Sequence, residues 1–156
     1  MKSILSLSCA LLATFQLANA APAPASNAAA AVQVSVSYDE RYDVEAGSLT
    51  TVACSDGVNG LIRKGYSDFQ SLPTFPLIGG APTIAGWNSA NCGKCYQLRY
   101  QDGNVDNTIT VLAIDAAPGG FNLALKAMDL LTDNQGKQLG RVTATYTEVD
   151  DSECGM

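Results

Sequence analysis

Two kinds of residue in this chain could do chemistry: carboxylates at the ends of apolar runs, and a close pair of cysteines. Asp39 closes the run Val-Ser-Val-Ser-Tyr that begins at Val34, and Asp115 directly follows Thr110-Val111-Leu112-Ala113-Ile114. Two carboxyls flanking a cleft are what glycosidic hydrolysis requires, one to protonate the leaving oxygen and one to attack or to activate water. The plainer reading is that both cap turns. Asp102, Asp106, Asp133, Asp150 and Asp151 all fall in turn or tail segments, so abundance of acid is no sign of catalysis. The chain has no His, which removes Ser-His-Asp and Cys-His nucleophiles together with His-ligated zinc. No metal and no cofactor is expected.

Cys92-Gly93-Lys94-Cys95 has the spacing of a redox pair, but a thioredoxin-type motif needs a βαβ setting that this region lacks, and structural bridges are expected instead. A Cys92 to Cys95 bridge would close only a tiny ring. Bridges from these two to Cys54 and Cys154 would close loops of roughly 40 to 60 residues, about 4 kcal/mol apiece from lost chain entropy. Spacing leaves both crossed arrangements open.

The cysteine pair belongs to the stretch Ala85-Gly86-Trp87-Asn88-Ser89-Ala90-Asn91-Cys92, which holds the only Trp. Its small polar run, Asn88 to Asn91, has too little apolar surface for a helix or an inner strand, so an exposed loop of fixed shape is expected there. Trp87 fits a core position and a ligand contact equally well. Tyr38 also adjoins a loop, whereas Tyr96, Tyr100 and Tyr146 occupy strand positions suited to sheet packing.

The elements that must position these groups follow in chain order. Residues 1–20 read as a secretory signal peptide, with Lys2, an apolar run from Ile4 to Leu17 and small residues Ala18-Asn19-Ala20. Cleavage there removes Cys9 and leaves four cysteines, an even number suited to two disulfides in an oxidising compartment. Residues 21–31 are Ala/Pro-rich and read as a linker or pro-segment. Residues 32–156 then form one domain, and no further stretch is a membrane candidate. Val32, Val34 and Val36 alternate with polar residues as in a half-buried strand, and 49–53 reads as a second. Leu61, Ile62 and Tyr66 suit one or two helical turns, and the Pro- and Gly-rich stretch from Pro73 to Pro82 reads as an irregular crossing. Residues 95–100 and 108–114 form a hairpin around Asp102-Gly103. A helix with apolar Leu123, Ala124, Ala127, Met128, Leu130 and Leu131 and a last strand over 141–149 complete the chain. The pattern suits a small closed barrel better than a βαβ sheet.

The formal charge of -6 and the scatter of Lys and Arg from Arg41 to Arg141 argue against nucleic acid, whose phosphates need clustered cations. Neutral polymers suit such a surface better. With no Asn-x-Ser/Thr site, N-glycosylation is not expected.

Five ordered motifs carry a family resemblance: Val-Ser-Val-Ser-Tyr-Asp (34–39), Cys-Ser-Asp-Gly-Val-Asn-Gly-Leu (54–61), Ala-Gly-Trp-Asn-Ser (85–89), Cys-Gly-Lys-Cys (92–95) and Gly-Phe-Asn-Leu (120–123). From Val34 to the C-terminal Cys-Gly the chain resembles the cerato-platanins, small secreted fungal proteins. The resemblance implies an all-β fold with two short helices, a six-stranded double-psi β-barrel, and bridges Cys54 to Cys92 and Cys95 to Cys154. It also implies an extracellular or cell-wall location, binding of chitin oligomers and elicitation of plant defence; other cell-wall oligosaccharides and a host receptor are further expected partners, with the protein a monomer that inserts in no membrane.

The same barrel occurs in expansins and some endoglucanases, where the segment resembling 120–123 reads His-Phe-Asp-Leu and its Asp is the general acid. Here that position is Asn122, and a carboxamide has no proton to give near neutral pH. Asp115 resembles the acidic residue that the wider group retains. The expectation is a non-enzymatic groove that binds carbohydrate through Tyr38, Asp39, Asn88, Ser89, Asp115 and Asn122, with Asp115 at its rim accepting hydrogen bonds from sugar hydroxyls. The competing expectation is a weak glycoside hydrolase using Asp39 and Asp115.

Overall fold

The structure is a computed structural model that describes residues 30–156. The expected signal peptide, Cys9 and nearly all of the Ala/Pro-rich segment lie outside the described residues. Six strands, β1 (Val32–Tyr38), β2 (Ile78–Ala81), β3 (Cys95–Asp102), β4 (Val105–Ala116), β5 (Phe121–Leu123) and β6 (Arg141–Val149), close a barrel in the order β1-β5-β2-β4-β3-β6. Two pairs, β1 with β5 and β2 with β4, are parallel; the other neighbours run antiparallel. Helices α1 (Leu125–Leu131) and α2 (Gly136–Leu139) follow β5. This is the all-β barrel with two short helices expected from the sequence.

Alternation decides what each strand buries. In β3, Tyr96, Leu98 and Tyr100 are buried while Gln97 and Arg99 face solvent, the two-residue period of a half-covered strand. Tyr96, Phe121 and Tyr146 meet edge-on inside the barrel at centroid distances of 5.2 to 5.8 Å, the arrangement that ring quadrupoles favour. The sheet-packing expectation for the strand tyrosines therefore holds. β4 departs from alternation: Val111 to Asp115 are all buried. The backbone of Cys54 bonds Ile114 and that of Gly93 bonds Ala113, so loops cover the flank of this strand.

Three local readings change. Residues 49–53 are not a strand: Leu49–Thr51 is a 3-10 turn whose start is capped by the Ser48 hydroxyl, which accepts from the Thr50 N–H. The Pro- and Gly-rich crossing contains β2, whose Gly79-Gly80 looked like a turn. Both glycines lie between β4 and β5, and a Cβ on Gly79 would run into the Asn122 carbonyl. Of the expected helix face, Ala127, Met128 and Leu131 are buried, but Leu130 is exposed and Leu123 belongs to β5. The free N–H groups of Leu125 and Lys126 at the start of α1 donate to the Asp43 carboxylate at 2.7 and 3.0 Å, a cap supplied from a distant part of the chain.

Gly120 sets the approach of β5 to β1. Its φ is 131°, and a Cβ there would overlap the Ser35 carbonyl oxygen. Gly120→Ala is expected to cost about 2 kcal/mol, read as a lower urea midpoint, because it adds left-handed strain to a backbone clash. Gly119→Ala, where a Cβ meets nothing within 4 Å, should leave the midpoint nearly unchanged.

Candidate functional site

The strand ends at one side of the barrel bring two of the expected site residues, Asp115 and Asn122, into a row. Across the sheet, Asp115 on β4 stands opposite Gly80 on β2, Gly80 opposite Asn122 on β5, and Asn122 opposite Ser37 on β1. Strand spacing then puts the Asp115 and Asn122 backbones about 10 Å apart, with a residue that has no side chain between them. The Ser37 hydroxyl donates to Asn122 Oδ1 at 3.0 Å. That bond fixes the amide so that its nitrogen remains as the outward donor. Asn122 lines a shallow cavity of about 210 Å³ with Ser37, Ala117, Gly120, Phe121 and Arg141.

Asp115 is only 8% exposed, and protein donors fill its carboxylate. Oδ1 accepts from the backbone N–H of Ala53 and of Ala116, each at 2.8 Å; Oδ2 accepts from the Tyr42 hydroxyl at 2.8 Å and from the Arg41 guanidinium. A carboxylate has about four acceptor positions, so none is left open toward a sugar. The expected open acceptor at the rim is thus a closed hub. What reaches solvent is Arg41, whose side chain is 51% exposed.

Arg41 also approaches the Asp39 carboxylate, 3.3 Å from Nε, while the Arg41 N–H donates to Asp39 Oδ1 in the cap of the 3-10 turn Glu40–Asp43. The guanidinium therefore bridges Asp39 and Asp115. Arg41 and Tyr42 are members of this cluster that sequence reasoning missed. The signal was their place directly after the Tyr38-Asp39 motif, but nothing local says that a ring at 42 turns inward. Burial, more than any other cause, pushes the Tyr42 phenol well above its ordinary pKa, so it stays neutral and donates to Asp115. Tyr38, at the end of β1, pairs with Leu123 and is half-buried.

Asn88 and Ser89 join the same region through the backbone. Ala53, whose N–H bonds Asp115, accepts at its carbonyl from the Asn88 N–H at 3.4 Å. Asn88 is locked further by Asn59, whose N–H donates to Asn88 Oδ1 at 3.0 Å and whose side-chain amide donates to the Asn88 carbonyl at 2.9 Å. Ser89 Oγ accepts from the Asn91 N–H. The loops 55–60 and 86–91 thus form one zipped unit, crosslinked by Cys54–Cys92 and bonded to β4 through the Cys54 and Gly93 N–H groups, while Cys95–Cys154 ties β3 to the C-terminal turn. The cysteines pair as the resemblance implied. Among the described residues, no group of His, Cys, Asp and Glu is arranged to hold a metal ion, and no helix is long and apolar enough to cross a membrane.

Comparison with known proteins places this geometry. The family model for cerato-platanin matches residues 34–156. The chain is 58% identical over 135 residues to allergen Asp f 15 of Aspergillus fumigatus, covering 86% of each. Its fold is similar to the crystal structure of cerato-platanin 2 from M. perniciosa, with a TM-score of 0.77 and 42% identity over 80% of this chain and 100% of that one. It is also similar to the solution structure of the fungal elicitor cerato-platanin, with a TM-score of 0.68 and 39% identity over 78% of this chain and 96% of that one. The barrel, the two bridges and a match from Val34 to the last residue agree, and the chain belongs to the cerato-platanin family.

Proposed function

We propose that this protein is a secreted, non-catalytic binder of neutral cell-wall glycans, chitin and GlcNAc oligomers in particular, that acts at cell walls and as an elicitor of plant defence. The observation that carries the reading is the make-up of the strand-end row. It offers the Ser37 hydroxyl and the Asn122 amide, with the half-buried Asn88 and Ser89 on the loop bonded to Ala53, while its buried carboxylate, Asp115, is filled by four protein donors. Groups of that kind match the hydroxyl and acetamido groups of an uncharged sugar chain, and an open, shallow surface suits a polymer better than a small molecule. Tyr38, Asp39 and the Arg41 guanidinium extend the row at the end of β1. The similar elicitor structure supports the signalling half of the proposal. The two disulfides, which persist in oxidising compartments, support the extracellular location.

Hydrolysis is the competing reading, and the geometry favours binding over it. Arg41 occupies the gap between Asp39 and Asp115, where a scissile bond would have to sit. Asn122 supplies no acid. Purified protein is expected to retain chitin oligomers while releasing no reducing ends from chitin, cellulose or β-glucan. Sustained release of reducing ends by clean protein would overturn the non-catalytic reading. Asn122→Asp should remain inactive, because a second carboxyl would face a partner that is already fully bonded.

A further inference from the structure

Trp87 is the only Trp in the chain and is 64% exposed, in contrast to Tyr42, Phe69, Tyr96 and Phe121, each no more than 2% exposed. Its indole N–H donates to Asp56 Oδ1 at 2.6 Å. Asp56 lies on one half of the zipped loop unit and Trp87 on the other, with the Asn59–Asn88 bonds and Cys54–Cys92 beside them. The polar edge of the indole is therefore satisfied within the protein, and the ring is held outward. A free indole would fold against its neighbours to shed apolar surface. Val58, on the same loop between Asp56 and Asn59, is 72% exposed, so apolar surface is presented on both halves of the unit.

We infer that Trp87, held in place by Asp56, is a stacking platform for one pyranose ring of a neutral β-linked glycan. This deepens the binding function proposed above and rests on it. A pyranose carries its C–H bonds on its two faces, and these lie favourably against the electron-rich face of an indole, while its hydroxyls stay at the rim. The rim here is polar: Asn88 and Ser89 follow the ring directly in sequence. The backbone path from Asn88 through Ala53 to Asp115 joins the platform to the strand-end row, so one extended chain could engage both. An anionic polymer is disfavoured by the Asp56 carboxylate beside the ring and by the charge of -6. Because the ring is fixed before binding, little side-chain freedom is lost when a sugar covers it. Asp56 acts as a positioning residue.

Because Trp87 is the only Trp, its emission reports on this site alone. Chitohexaose and cellohexaose, titrated into the disulfide-intact protein and followed by indole fluorescence and by calorimetry, should give one midpoint by both methods for the oligomer that binds. Trp87→Ala should weaken binding about ten-fold with an unchanged thermal midpoint, and Trp87→Tyr, which keeps a ring face, should recover most of the loss. Asp56→Ala should leave the thermal midpoint in place, speed the decay of indole anisotropy and weaken binding about three-fold. Calorimetric binding with silent indole emission and full affinity in Trp87→Ala would place the sugar elsewhere, ending this inference while leaving the binding function intact. Absence of binding by the unaltered protein would end both. An emission change that follows protein concentration rather than sugar, with dimers in sedimentation, would assign the ring to contact with a second copy and overturn the platform.

Discussion

Replacing Cys54 and Cys92 together by Ser is expected to lower the free energy of unfolding by about 4 kcal/mol, and the same replacement of Cys95 and Cys154 by slightly more, because the crosslinked spans are 38 and 59 residues and loop entropy grows only slowly with length. In a single barrel of this size that is a large share of a stability that rarely exceeds about 5 to 15 kcal/mol. The two losses should differ in where they act. Cys95 starts β3, already paired with Val149 of β6, and Cys154 follows β6 by one 3-10 turn, so the barrel seam keeps its hydrogen bonds when that bridge goes. Cys54–Cys92 joins two loops that otherwise hold together by a few side-chain bonds. Hydrogen exchange should thus show loops 55–60 and 86–91 opening on their own in the first variant, with protection spread evenly in the second. Equal urea midpoints for both variants and the parent would contradict the entropic account.

Asp115→Ala is expected to cost about 3 to 5 kcal/mol, since it removes the acceptor for two backbone N–H groups and the Tyr42 hydroxyl and leaves the Arg41 charge without its buried partner. Asp115→Asn separates shape from charge. Its Oδ1 can still take the Ala53 and Ala116 N–H groups, but an amide nitrogen in place of Oδ2 meets the Arg41 guanidinium donor against donor, and the Tyr42 hydroxyl has to turn from donor to acceptor. That variant should cost about 2 kcal/mol and lose the interaction energy between positions 41 and 115 in a double-mutant cycle with Arg41→Met. Glycan affinity per folded molecule should change far less than stability. A stable Asp115→Ala protein with weakened binding would show instead that the carboxylate faces the ligand.

What the sequence determined by itself is what periodicity and covalent chemistry report locally. The two-residue alternation of Val32, Val34 and Val36, the Asp102-Gly103 hairpin and the long runs of β3, β4 and β6 each follow from a few neighbouring residues. The ordered motifs then gave the barrel and the pairing of the bridges by resemblance. β5 escaped because three residues are too few to show a period. β2 escaped because its glycines serve close packing between strands, while in sequence they look like turn formers.

The candidate residues could be named from the sequence, but their wiring could not. Asp115 and Asn122 stand in one row across the strands, with Asp39 joined through Arg41 and Asn88 through the Ala53 backbone, but whether a carboxylate is open or filled depends on donors more than sixty residues away, Ala53, Tyr42 and Arg41. The same holds for Asp43, which caps α1 from across the fold, and for Trp87, which composition alone left balanced between core and surface. Whether an indole is buried or displayed is a matter of what stands next to it, and its neighbour Asp56 arrives only when Cys54 and Cys92 bring the two loops together. Hydrogen bonds act over about 3 Å and have no memory of chain distance, so only the closed barrel could decide which of the chain's polar groups remain free to meet a ligand.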